Sequence, residues 1–137
     1  MLSAVLDTNV VVSAHLNSKG ATGLILELAM LRHFRCFVSQ PLLDEYNEVL
    51  QKGRIGLDPQ KTGPSMRRFR TSAIMVSPRR RLQSTRDPDD DIVLECALEA
   101  RADFVVTGNV RDFPSRFQDV RVITPRDFVT VLASSPH

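Results

Sequence analysis

The sequence predicts an α/β fold, a three-layer α/β/α sandwich around a mostly parallel sheet of four or five strands. Three observations lead there. Short apolar runs of strand length alternate with stretches of helical periodicity, the pattern of parallel strands joined by crossover helices. One helical stretch, Ile92 to Ala102, is apolar nearly all round and must be packed on both sides. Acidic or amide side chains follow the ends of the apolar runs, where an open α/β sheet places its ligands.

The elements follow in order. Ser3 to Leu6 is a first strand closed by Asp7, and Gly23 to Arg32 is rich in helix formers. After a second strand, Phe34 to Ser39, the residues Leu42, Leu43, Tyr46, Val49 and Leu50 recur at i, i+1, i+4, i+7 and i+8 and make one apolar helix face. Gly53, Gly56, Pro59, Gly63 and Pro64 break the pattern and predict an exposed loop. Ala73 to Val76 and Asp103 to Thr107 are the third and fourth strands, with Ile92 to Ala102 between them and an acidic stripe at Asp91, Glu95 and Glu99. Val120 to Ile123 is a weaker fifth. Thr124-Pro125-Arg126-Asp127 reads as a cap, a first-position proline and an acid, opening a last helix through Phe128, Val129 and Leu132.

At 137 residues the chain suits a single domain over 1–137. No apolar run approaches the roughly 18 residues of a membrane span, and the first residues lack a basic leader, so a cytoplasmic protein with no membrane contact is expected. Cys36 and Cys96 have neither a CxxC nor a histidine-partner spacing, and His15 and His33 have no ligand spacing either. Buried free thiols are expected rather than a disulfide or a zinc site. The formal charge of +2 conceals an asymmetry: between Asp58 and Asp87 there is no acid, while Lys61, Arg67, Arg68, Arg70, Arg79, Arg80, Arg81 and Arg86 all occur there. Arginine forks suit phosphate, so this segment is the candidate polyanion contact, with Arg79, Arg80, Arg81 and Arg86 the candidate RNA-binding residues.

The stretch "DPDDDIVLE" at 87–95 crowds four aspartates ahead of an apolar helix. Asp87 can cap, Pro88 fits the first helical position, and Asp89 and Asp90 suit the positive end of the dipole. That leaves Asp91 over. Asp7 follows the first strand, Asn109 and Asp112 follow the fourth, and Glu45 lies one turn into the helix after the second, about 100° from the centre of its apolar face. Asp44 points nearly opposite the core. Singly, each acid has a quieter role as a cap, a surface charge or a turn former. Jointly they fall on one predicted sheet edge, Asp91 only if its crossover is suitably arranged.

Carboxylates sharing a cleft raise one another's pKa and call for a cation. All-oxygen ligation favours Mg²⁺ or Mn²⁺, and the chemistry that follows is phosphodiester hydrolysis.

These residues resemble the PIN domain, and more narrowly the PIN-type toxins of bacterial and archaeal toxin–antitoxin systems related to VapC. The stretches that carry the resemblance are "VLDTNVVVSA", "SQPLLDEYNEVL", "RDPDDDIVLECALEARADFVVTGNVRDFP" and "VRVITPRDF", in that order over nearly the whole chain. The resemblance implies a metal-dependent endoribonuclease with Asp7, Glu45 and Asp91 as the principal metal-site acids. It also implies that Asn9 orients Asp7 by a hydrogen bond and that Thr107 is the small hydroxyl of the site. At the fourth acid position this chain has Asn109, and Asp112, three residues on, is the substitute. A homodimer and a cognate antitoxin that blocks the cleft are implied as partners. The alternative is a PIN-fold module, weak or inactive in catalysis, that binds RNA or a protein. A receiver-like phosphoacceptor needs a lysine after a late strand, and the only lysines are Lys19, Lys52 and Lys61. A dinucleotide-binding domain needs a glycine fingerprint after the first strand, which is missing.

Overall fold

A computed structural model describes residues 1–52, 57–82, 85 and 87–135. Gly53 and Gly56 of the expected loop and the candidate RNA contact Arg86 lie outside the described residues.

The strands are β1 (Ser3–Leu6), β2 (Arg35–Ser39), β3 (Ile74–Val76), β4 (Phe104–Val106), β5 (Arg116–Phe117) and β6 (Val120–Ile123). The helices are α1 (Thr8–Leu16), α2 (Ala21–Met30), α3 (Gln40–Gln51), α4 (Pro59–Ser72), α5 (Pro88–Ala100) and α6 (Pro125–Ser134). They flank one sheet of order β3-β2-β1-β4-β6-β5, parallel throughout except for the β5–β6 pair. Six strands stand where four or five are expected. The additional one, β5, is two residues long and pairs only with β6, too short to leave a periodic signal.

Two helices depart from the expectation. α1 has no helical signature, because Val10, Val11 and Val12 are consecutive and β-branched. It forms because Asp7 caps it and because Val10, Val11, Val12 and Ala14 are buried against the core. The predicted loop is corrected from Pro59 onward, where α4 begins. Asp58 caps it by accepting from the Gln60 amide at 2.9 Å, and Pro59 takes the first position. Pro64 removes one amide, whose helical partner would be the Gln60 carbonyl, but both residues face solvent. Burial of Met66 and Phe69 holds the inner face. Glycine and proline content alone was a poor guide because Pro59 sits at the first position, where a helix tolerates it, and burial of the inner face outweighs the cost of Pro64 in the interior.

The core runs along both sides of the central strands, with Val5, Leu6, Val105 and Val106 fully buried. Phe34 meets Phe128 edge to face at 5.0 Å, which docks α6 beside the start of β2. Cys36 and Cys96 are buried free thiols, as expected, and burial pushes the Cys96 thiol up to about 12. Among the described residues no helix is long and apolar enough to cross a membrane.

From β1 the chain moves outward to β2 and β3, then returns through α5 to β4 on the other side of β1. The strand order therefore reverses between β1 and β4, and the crevice at their carboxyl ends is the switch point where such folds bind ligands. Leu6 pairs with Val106, so Asp7 and Thr107 emerge side by side.

Candidate active site

Asp7 leaves β1 with its amide donating to the Val106 carbonyl at 2.9 Å, and its carboxylate turns back into the crevice. One oxygen accepts from the Thr8 amide at 2.8 Å and the other from the Thr107 hydroxyl at 2.7 Å. Thr107 is fully buried behind it. That hydroxyl also accepts from the Asn109 amide at 3.0 Å and lies 3.5 Å from the Asn9 side-chain nitrogen. Asn9 in turn accepts from the Gly108 amide at 3.1 Å. Asn9 thus steadies Asp7 through Thr107 and the β4 exit loop, not by the direct bond that the resemblance implies.

Glu45 reaches the same place from α3. It is half-buried while Asp44 is exposed, as the helical wheel requires, and it accepts the Thr8 hydroxyl. The helix is held in register by Tyr46, fully buried, whose hydroxyl donates to the Leu6 carbonyl directly before Asp7. Tyr46→Phe should cost roughly 1 kcal/mol of stability by urea denaturation, because that bond joins two buried groups. An unchanged midpoint would mean the hydroxyl does not fix α3.

The third contribution comes from the start of α5. Asp87 caps the helix, accepting from the Asp89 amide at 2.9 Å, as its position before Pro88 predicts. A cleft of about 340 Å³ is lined by Asp7, Glu45, Asp87, Asp89, Asp90 and Asp112, with Thr8, Asn9 and Asn109. Asp91 is not on its wall. The Asp91 carboxylate turns the other way and accepts from the Thr85 amide at 2.9 Å and the Thr85 hydroxyl at 3.1 Å. The position assigned to Asp91 from the sequence is therefore filled by Asp90. The reason is helix rotation: Asp90 precedes Val93, Leu94 and Ala97 at i+3, i+4 and i+7, the stripe buried against the sheet, whereas Asp91 heads the stripe of Glu95 and Glu99. That apolar spacing was the available signal for Asp90. For Thr8 it was adjacency to Asp7, and for Asp87 and Asp89 only the crowding of acids.

Asp112 ends a 3₁₀ turn, Val110–Asp112, which begins after Asn109, and both side chains are exposed at the cleft mouth. Arg79 and Arg80 line a different cavity of about 750 Å³, at the far end of α5, together with Glu95, Glu99, Arg101, Asp103 and Asp119. Arg81 is exposed beside them. Of the described residues of the basic segment, Arg79 and Arg80 therefore line a cavity separate from that of the acids, at the other end of α5.

The electrostatics of the cleft are those of acids without a cation. Burial raises the Asp7 carboxyl above its ordinary range, against the hydrogen bonds from Thr107 and Thr8, and the charges of Asp112 and Asp87 add to the rise. Burial first, with the neighbouring Asp89 and Asp7, pushes Glu45 up to about 7. Burial and then Asp7, Asp87 and Asp112 push Asp90 to about 6. Among the described residues no basic side chain lines the cleft. Oxygen donors alone, mutually repelling and partly dehydrated, fit a hard divalent ion. Among the described residues no three of these groups are already closed into a ligand cage, so the cleft presents a donor set rather than a finished shell.

A consequence can be measured. These raised carboxyls bind protons in the folded state that the unfolded chain releases, so each favours the fold below its ordinary pKa and loses that advantage as pH rises to its folded value. In EDTA, Tm should fall between pH 5 and pH 8 by roughly 3–5 °C, allowing for solvent screening of the half-exposed groups. Millimolar Mn²⁺ should remove most of the fall. A flat profile in EDTA would show that the acids do not repel one another.

A mostly parallel sheet that gathers carboxylates at its switch point makes this an α/β protein with an acidic cleft. The family model of the PIN domain matches residues 3–111, and the chain belongs to that family. PIN domains are typically nucleases, and the nucleases among them generally use divalent metals. Comparison with curated proteins finds no match.

Proposed function

We propose that this protein is a metal-dependent endoribonuclease hydrolysing RNA phosphodiester bonds. The observation that carries the reading is the meeting of Asp7, Glu45, Asp90 and Asp112 from four separate segments on one cleft. These four would hold Mg²⁺ or Mn²⁺, which when bound supplies charge neutralisation, polarisation of the phosphoryl group and an acidified water. The chain does the rest. Thr107 and the Thr8 amide fix Asp7 so that its carboxylate needs no reorganisation. Glu45, held by the Thr8 hydroxyl at the cleft wall, places a carboxylate where it can orient a water toward the phosphoryl group. Asn9 and Asn109 offer neutral amides to a phosphate oxygen that carboxylates would repel.

The decisive assay is purified protein on mixed RNA, with EDTA against Mn²⁺. Cleavage in Mn²⁺ and none in EDTA supports the reading, and cleavage independent of metal removes it. A second reading, a catalytically weak module that binds RNA or a protein, is favoured by one feature, the amide of Asn109 where a fourth acid would stand. It predicts saturable Mn²⁺ binding without cleavage. Within the nuclease reading, the place of the protein is the toxin of a toxin–antitoxin pair, acting as a homodimer and held in check by a cognate antitoxin. Growth arrest on expression, relieved by Asp7→Asn, tests that role.

A further inference from the structure

The acids of α5 that turn away from the cleft hold something else. Asp91, Glu95 and Glu99 stand at i, i+4 and i+8, a stripe about 12 Å long at the helical rise per residue. Each accepts a backbone amide from the segment that follows β3. The Arg79 amide donates to Glu99 at 3.0 Å, the Leu82 amide to Glu95 at 2.8 Å and the Thr85 amide to Asp91 at 2.9 Å. Three residues of the segment thus match four of the helix at each step, and its described residues 79–82 and 85 are tied down as a strap. They run antiparallel to α5, from the cavity at the far end of the helix toward its start, where the Asp87 side chain lines the cleft.

The carboxylates of this ladder grip main chain, and of the strap's described arginines Arg79 alone also spends its side chain there, in an ion pair with Glu99 at 3.4 Å. Arg80 and Arg81 are exposed, with no ion pair among the described residues. A loose strap would have to be ordered by any strand that bound it, and that entropy would be lost from the affinity. We propose that Asp91, Glu95 and Glu99 are positioning residues that hold the strap as a rail, on which Arg80 and Arg81 receive the phosphate backbone of an RNA strand running toward the cleft. The inference rests on the ribonuclease reading and adds to it where the substrate lies.

The test exploits a difference in sign. On charge alone, removing a carboxylate beside arginines tightens polyanion binding. A positioning role demands the reverse when the acceptor is lost, and rescue when it is kept. The probe is a fluorescein-labelled single-stranded RNA of mixed sequence, bound to the whole protein in EDTA and followed by anisotropy over a range of KCl. Glu95→Ala, which leaves the Leu82 amide without its acceptor, should weaken binding about five- to tenfold, less than the full worth of one hydrogen bond to a charged group because the other two rungs remain. Glu95→Gln, whose carbonyl can still accept that amide, should bind as the native protein does or tighter. Equal or tighter binding by Glu95→Ala would overturn the rail. If that variant does not melt cooperatively, Asp91→Ala against Asp91→Asn gives the corresponding comparison at the Thr85 rung. Failure of the native protein to bind the RNA, or native binding that Glu95→Ala leaves unchanged, would overturn the rail alone, whereas the ribonuclease reading falls only with the Mn²⁺ cleavage assay.

Discussion

Asp7→Asn will abolish RNA cleavage and at the same time raise thermal stability at pH 8. Both effects come from the same buried carboxylate. It stands first on the cleft wall, fixed by Thr107 and Thr8, and an amide there keeps the shape but brings no negative charge to an ion. The loss should be at least about a hundredfold, the scale of removing one preorganised electrostatic group from an active site. Stability moves the other way because burial already raises the Asp7 pKa, so the folded state at pH 8 carries a charge it disfavours. The advantage of the amide should shrink from pH 8 toward pH 4, because the raised carboxyl regains its proton at a higher pH than an ordinary one does. Circular dichroism melts in EDTA at both pH values, beside a cleavage assay in Mn²⁺, check the pair. A less stable, inactive variant would make Asp7 a structural cap only.

The second large effect separates two neighbours. Asp90→Asn should lose about a hundredfold or more in cleavage and several-fold in Mn²⁺ affinity, since Asp90 lines the cleft and feels Asp7, Asp87 and Asp112. Asp91→Asn should stay within a few-fold of native activity, because an asparagine oxygen can still accept from the Thr85 amide. Cleavage kinetics with Mn²⁺ titration of both variants decide it. The opposite ranking would restore Asp91 to the metal site, as its resemblance to the family implies, and would require α5 to turn by about a residue's worth of rotation, 100°.

That pair also marks how far the sequence could be read. β1 and β6 coincide with their apolar runs, and α3 presents Glu45 half-buried and Asp44 exposed, because these features depend on local periodicity. Periodicity failed for α1, whose three valines disguise a helix, and for α4, whose prolines and glycine disguise another. In both, burial of a few side chains outweighs intrinsic preference. For the arginines, counting charge located a basic segment but not its neighbours. Only the path of the strap along α5 shows that Arg79 and Arg80 lie at the end of the helix remote from the acids.

By itself the sequence determined that parallel strands would end in acids and that these would share an edge, since strand direction and the residue after a strand are matters of chain order. Tertiary packing alone decided which aspartate of a crowded helix start meets them. Adjacent side chains on a helix differ by 100°, and the rotation of α5 is set by Val93, Leu94, Cys96 and Ala97 pressing into the core. A net of contacts that far along the helix selects Asp90 for the cleft and gives Asp91 to the strap.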